Sequence, residues 1–395
     1  MTKASTENTV TQVLMICPFS RPNLGGVESH LVKLISYLGK QKVYVHLVTY
    51  QPLTTAVKTL GIERGNNYTI YRISWFGQGL FPKVESNFPL TFLYLVPGLF
   101  FGSLYVYFRY LKNVDVIHAH GFSAAFVTKF LGRLLSKRTV VSTHAVYNLK
   151  ERRFLALLVK WLLSSFNSIL AVGSASEEEL VKAGLDKEKI KIHPNWVDLD
   201  IFHPHDKKMS RISLGLPEDK FIILFVGRLI AKKGILTLID VARKVPDDIV
   251  FVIVGAGGPE SDRVVEAGRE LTNLIFIDHL PSSEEHKQQV LTKYYSSADI
   301  FILPSQYEEG FASVIPEGIA CGTPIIATNK GCIPQIVDET VGVLLDPTEL
   351  NIKETIVYFY NHPKELTQKA INCRRYALDH FDESNAEVIY KSYVK

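Results

Sequence analysis

The stretch Tyr307-Glu-Glu-Gly-Phe-Ala-Ser-Val-Ile-Pro-Glu-Gly-Ile-Ala-Cys-Gly-Thr-Pro-Ile-Ile-Ala-Thr328 sets two carboxylates, Glu309 and Glu317, eight positions apart. An apolar run, Ala298 to Ser305, leads up to it, and a second, Pro324 to Thr328, follows. Both runs read as buried strands of a parallel sheet. Ligands of open α/β sheets bind beyond the carboxyl ends of such strands, so the glutamates stand where a site belongs. Proline fits only the first turn of a helix or lies outside it. Pro316 therefore sets the helix start near Ser313 to Pro316 and puts Glu317 in the first turn.

Outward from this stretch, apolar runs alternate with helix-like segments, the pattern of βαβ units. In the first half the expected strands are Gln12–Cys17, Val43–Thr49, Thr69–Ile73, Val114–His118, Thr139–Thr143, Ser168–Val172 and Lys191–His193, with a capping box at Ser176 to Glu179. The pattern lapses from His203 to Leu216, which reads as an interdomain linker. It resumes at Phe221–Val226, Val250–Val254, Leu274–Ile277, Ile300–Leu303 and Pro324–Ala327. The fold class is α/β: two tandem Rossmann-like domains with a cleft between them, 1–203 and 204–381.

With 395 residues, 47% hydrophobic and 21% charged, the chain supports two packed cores. Cys17, Cys321, Cys332 and Cys373 are too scattered for a disulfide framework or a zinc site, which favours a reducing compartment. Residues 1–9 are polar, with no apolar signal segment. The net charge of +4 hides an asymmetry. Residues 1–176 hold 19 Lys or Arg against 6 Asp or Glu, and the remainder 25 against 34. A basic first domain suits an anionic partner. Charge alone admits nucleic acid or a membrane surface.

Three further strand ends carry chemistry. Gly25-Gly26 follows the first strand and opens a helix, where backbone amides can approach a phosphate; an ordinary glycine turn has the same composition. Phe225-Val-Gly-Arg-Leu-Ile-Ala-Lys-Lys-Gly234 offers Arg228, which can fork onto two oxygens, and Lys233, a point charge. Lys232 beside them reads as a surface residue. Asp115-Val-Ile-His-Ala-His-Gly121 puts His118 and His120 on one strand face, where one of the two would ordinarily be a satisfied core histidine.

Together these elements resemble the retaining nucleotide-sugar glycosyltransferases of family 4, on the two-domain GT-B fold. The similarity runs from Val13 to about Leu345 and rests on Gly25-Gly26, the Gly-Arg-Leu…Lys-Gly run and the Glu-x7-Glu element. It implies a UDP- or GDP-sugar donor, transfer of a hexose or N-acetylhexosamine with retention, and a C-terminal helix, 382–395, joined to the first domain. It further implies that Arg228 and Lys233 neutralise the departing diphosphate without a metal, so no cofactor and no metal ligand is expected. Glu309 would contact sugar hydroxyls and Glu317 the ribose. Gly25, Gly26 and the amides of Phe311, Ala312 and Ser313 would face the diphosphate. His120 goes to the donor sugar or reacting centre, and His144 and Asn195 to the acceptor side. Ala312, Gly318, Trp196 and Asp278-His279-Leu280 depart from the usual pattern, which bears on base and sugar preference.

Phe88 to Phe108 runs 21 residues without a charge, eight of them Phe or Tyr. Length alone would make it a membrane span, but its prolines and glycines and the strands of one domain on both sides argue against one. It reads either as a buried helix or as an interfacial segment, and Leu149 to Leu163 adds a basic, aromatic helix. The expectation is a cytoplasmic enzyme peripheral on an anionic membrane, with a lipid-linked or cell-envelope glycan acceptor and no nucleic acid. The rivals are a GT-B nucleotide-sugar epimerase and a non-catalytic sugar-nucleotide or lipid-binding protein.

Overall fold

The computed structural model describes residues 10–23, 25–54, 57–76, 80–84, 87–255, 257–281 and 283–394. The polar start, 1–9, lies outside the described residues. The chain divides into two compact units, 1–193 with 386–395, and 194–385.

The first unit holds an eight-stranded sheet: β1 (Thr11–Ile16), β2 (Val43–Tyr50), β3 (Ile62–Arg64), β4 (Tyr68–Ile73), β5 (Val116–His120), β6 (Arg138–Thr143), β7 (Ser168–Ala171) and β8 (Ile190–Ile192). Their order is β3-β4-β2-β1-β5-β6-β7-β8. All neighbours pair parallel except β3 against β4. The central strands are buried on both faces, as parallel strands under helices must be. Strand order reverses between β1 and β5, which makes their ends the switch point of this sheet.

The second unit holds β9 (Phe221–Val226), β10 (Ile249–Val254), β11 (Leu274–Ile277), β12 (Ile300–Leu303), β13 (Ile325–Thr328) and β14 (Gly342–Leu345). They run in the order β11-β10-β9-β12-β13-β14, all parallel. This is the doubly wound Rossmann order, with its switch point between β9 and β12.

The periodic apolar runs do form strands, with differences that have local causes. β5 begins at Val116 rather than Val114, because Asp115 is already tied to β1: its amide donates to the Gln12 carbonyl (2.9 Å) and its carboxylate accepts the Gln12 amide (2.7 Å). His120 thereby becomes the last residue of the strand. The short strands β3 and β14 were not foreseen. The supposed linker contains a helix, Lys207–Leu214, capped by Asp206, whose carboxylate accepts the Met209 amide at 2.8 Å. The unit boundary lies at His193 rather than His203, since Val197 and Phe202 are buried in the core of the second unit. The Ser176–Glu179 capping box does not form. The helix starts at Ser174, Ser176 is buried against Thr143 (3.3 Å), and Glu179 accepts the Tyr147 (2.7 Å) and Leu149 (2.6 Å) amides.

The aromatic segment is a helix, Phe88–Tyr110, capped by Asn87 and stitched to the sheet. The Tyr50 hydroxyl donates to the Leu95 carbonyl at 2.5 Å and the Trp75 indole to that of Tyr94 at 2.9 Å. A Cβ on Gly102 would lie 2.0 Å from Ile73 Cδ1, so this face of the helix needs a residue without one. The C-terminal helix Glu387–Val394 belongs to the first unit.

Candidate active site

In the second unit, the switch point joins the loops after β9 and β12. Gly234 adopts φ +77°, and a Cβ there would stand 2.1 Å from the Pro304 carbonyl oxygen. Only glycine allows that approach, and it delivers Lys233 to the end of β12. The Lys233 ammonium donates to Glu309 Oε1 at 2.6 Å. The Ser305 hydroxyl donates to the same oxygen and the Tyr307 hydroxyl to Oε2 at 2.9 Å. Glu309 is 4% exposed, so these donors replace the water it gave up. Burial first, and then the Glu309 charge, push the Tyr307 phenol above its ordinary range. It therefore remains a donor.

The glutamate loop is also clamped from β13. Gly331, at φ +56°, lies so close that a Cβ would sit 2.2 Å from the Glu309 carbonyl oxygen. The Cys332 amide donates to that oxygen at 2.9 Å. Arg228 is exposed, and its charge is felt by Tyr307. Lys232 is also exposed, with its carbonyl taken by the Gln306 amide at 2.8 Å.

The helix Val314–Ala320 starts where Pro316 required, and its Glu317 accepts from the Tyr295 hydroxyl at 2.9 Å. Phe311, Ala312 and Ser313 form the approach to that helix, with the Ser313 amide turned onto the Phe311 carbonyl at 3.1 Å. The run Gly255 to Glu260, three glycines after an apolar strand, was missed as a part of the site. A Cβ on Gly255 would lie 2.3 Å from the Gly227 oxygen, and one on Gly258, at φ +128°, 2.2 Å from that of Leu229. Leu229 and this run exchange backbone hydrogen bonds at 3.2 and 3.1 Å. The run thus holds the Gly227–Leu229 loop and aims Arg228. An Asp-x-Asp does occur, Asp198-Leu199-Asp200, but Asp198 Oδ1 accepts the amides of Asp200 (3.1 Å) and Ile201 (3.2 Å) and closes a turn.

In the first unit, Gly26 opens the helix Gly26–Lys40 and faces empty space, whereas a Cβ on Gly25 would meet Glu28 Oε2 at 2.4 Å. The Glu28 carboxylate lies over that helix terminus. Beside it, five histidines gather at the strand ends. His118 is the satisfied one of its pair, with Nδ1 2.6 Å from the Tyr393 hydroxyl and Nε2 2.9 Å from that of Ser142. His120 Nδ1 lies 3.1 Å from His144 Nε2, the rings stacked at 13°. His30 and His193, which sequence reasoning did not single out, complete the group; the His30 ring centroid is 5.3 Å from that of His144 and 5.8 Å from that of His193. Among the described residues, His120 Nε2 and both His193 ring nitrogens have no hydrogen-bond partner. Burial pulls the His144 imidazole down to about 4 and His193 to about 3. His30, His118 and His120 are held well below the usual value by burial, with the neighbouring histidines adding. The cluster is neutral at pH 7 and can accept or donate without charge. Asn195 falls in the second unit, with its side-chain oxygen buried and unpartnered.

Residues 24–201 match the family described as Glycosyltransferase Family 4, and residues 206–376 match Glycosyl transferases group 1. The chain is 25% identical over 389 residues to the GPI3 subunit of phosphatidylinositol N-acetylglucosaminyltransferase from Saccharomyces cerevisiae, covering 93% of this chain and 76% of that protein. It is 27% identical over 351 residues to the matching component of the Homo sapiens enzyme of that name, covering 87% of this chain and 67% of that protein. A D-inositol 3-phosphate glycosyltransferase of Mycobacterium tuberculosis is 36% identical over 174 residues, 42% of this chain and 35% of that one. Among solved structures, sucrose-phosphate synthase from Thermosynechococcus elongatus superposes with a TM-score of 0.80 at 20% identity, covering 97% of this chain and 98% of that chain. Anabaena HepE in complex with UDP-glucose does so at 0.72 and 17%, covering 97% and 99%. With two Rossmann-like sheets and family matches spanning both, the chain belongs to glycosyltransferase family 4 and is a GT-B glycosyltransferase.

Proposed function

We propose that this glycosyltransferase moves a hexose or N-acetylhexosamine from a UDP- or GDP-sugar to a hydroxyl of a lipid-linked acceptor or cell-envelope glycan precursor, with retention and without a metal. The observation that carries the reading is the buried Lys233–Glu309 pair beside the exposed Arg228, at the switch point of the second sheet. Fixed cations at that point can stabilise charge growing on a diphosphate. The lipid acceptor draws on the names of the yeast and human relatives, which specify phosphatidylinositol and N-acetylglucosamine.

In this reading the acceptor oxygen attacks the anomeric carbon from the face of the departing group. The bond from that carbon to the diphosphate oxygen breaks with its electron pair staying on the diphosphate, which takes the acceptor's proton. Arg228 and Lys233 bind the diphosphate, Gly25 and Gly26 lend amides, and Glu309, already fixed by three donors, orients sugar hydroxyls. Glu317 receives the ribose. His120 faces the donor sugar, while His144 and Asn195 serve the acceptor. The enzyme works on the cytoplasmic face of a membrane, which suits four buried free thiols and a basic first unit.

The test is a donor panel with the purified chain and EDTA, with and without lipid extract and phosphatidylinositol. The expected result is release of nucleoside diphosphate only with lipid, and a product of retained configuration by NMR. An inverted product, or activity abolished by the chelator, overturns the mechanism. Donor turnover without any acceptor favours an epimerase instead, and tight donor binding with no turnover favours a binding protein.

A further inference from the structure

Three helices of the first unit, Phe88–Tyr110, Phe122–Leu135 and Arg153–Leu163, pack in a row. Aromatic rings join them: Phe126 lies 5.2 Å from Phe92 and 6.2 Å from Trp161 between centroids. The Lys129 ammonium sits 3.6 Å over the Trp161 ring. A surface helix should turn a polar face to water. Here the outward positions are apolar: Leu93 is 69% exposed, Phe101 67%, Phe108 70%, Leu134 64%, Phe154 83% and Leu157 67%. In Phe88–Tyr110 the outer stripe recurs every three or four residues, while Leu95, Leu99 and Val106 fill the inner face. That helix is apolar on both sides.

By length and composition this helix could cross a membrane. Its carbonyls and glycines are committed to Tyr50, Trp75 and Ile73 of the sheet, however, so only its outer face is available. The charge says what covers that face. The three helices together contain five cations, Arg109, Lys129, Arg133, Arg153 and Lys160, and no Asp or Glu. A second copy of the chain would set those cations against each other. An anionic surface with an apolar interior satisfies both the cations and the exposed rings.

We propose that these three helices form one interfacial face by which the first unit docks on an anionic lipid bilayer without crossing it. The purpose of the face rests on the lipid-acceptor reading above, since docking brings the enzyme to the plane of its acceptor.

The experiment is sedimentation of the full chain with phosphatidylcholine vesicles, with and without about 30 mol% phosphatidylserine. The wild type is compared with Phe154→Ser/Leu157→Ser, which alters only exposed positions. Transfer to a detergent-solubilised acceptor is measured alongside. Expected are binding that needs phosphatidylserine and weakens with salt, a loss of roughly tenfold or more in the variant, and unchanged transfer in detergent. No preference for the anionic vesicles overturns the docking proposal and leaves the transferase reading intact. Concentration-dependent self-association abolished by the same changes also overturns it. Vesicle binding without transfer to any lipid upholds docking and removes the lipid-acceptor reading.

Discussion

The Tyr393 hydroxyl lies 2.6 Å from His118 Nδ1, joining the C-terminal helix to the central strand β5 across 275 residues of chain. Both side chains are buried, His118 fully and Tyr393 to 5% exposure. Removing the hydroxyl leaves an imidazole nitrogen without its partner. Tyr393→Phe is expected to destabilise the first unit by about 1–3 kcal/mol while leaving kcat unchanged. Thermal melts and steady-state rates check this. An unchanged melting temperature with a lost rate would move His118 from structure to chemistry.

Lys233 and Arg228 separate in the same two assays. Lys233 neutralises a carboxylate that is 4% exposed, so Lys233→Ala leaves a buried charge and is expected to cost about 3–5 kcal/mol in stability. Its rate should fall by about 10²–10³. Arg228 is exposed. Arg228→Ala should therefore lower the rate comparably and move stability by no more than about 0.5 kcal/mol. A fully active Arg228→Ala would remove it from the site.

The histidine cluster makes the first unit acid-sensitive. His144, at about 4, and His193, at about 3, titrate far below the unfolded value of 6.5, and His30, His118 and His120 are shifted the same way. Lys33 adds to the shift of His30. Between pH 6.5 and the folded values, the unfolded chain binds protons that the folded chain refuses. Stability from this source is complete above about 6.5 and drains as pH falls toward 4. Each imidazole accounts for at most about 2 kcal/mol between pH 6.5 and 5. Calorimetry should show the first unit's transition dropping over that range and recovering partly in His193→Gln. A transition flat from pH 7 to 5 contradicts the neutral cluster.

Gly318 stands inside the helix Val314–Ala320, where relatives commonly have alanine. A Cβ there would meet Ile325 and Tyr295 at 3.4 Å, an ordinary contact. Gly318→Ala should raise stability by about 0.5–1 kcal/mol, read as a higher melting temperature of the second unit. Destabilisation would show that the helix shifts to admit the methyl.

Much of this protein was legible locally. Apolar runs of four to six residues announced the strands of both sheets, because a strand buried on both faces has no polar positions. Pro316 fixed the start of its helix. The glycines beside Arg228 and Lys233, and the two glutamates, marked ligand-binding strand ends. Two readings failed where a local rule met long-range packing. Ser176 looked like a cap but was drawn into the core by Thr143, and the polar run around Lys207 looked like a linker but was capped by Asp206 into a helix.

From sequence alone came the α/β class, the two units, the family and the identity of the charged residues, since each depends on local periodicity or on a contiguous motif. Tertiary structure decided which strand ends meet. Lys233 and Glu309 are 76 residues apart and touch only because Gly234 lets one loop close on Pro304. It also decided that His118 is satisfied while His120 is not, that His30 and His193 join them, and that an apolar stripe faces outward. Such facts depend on non-local strand order and on which face of a helix the sheet has already taken, and no short window of sequence contains either.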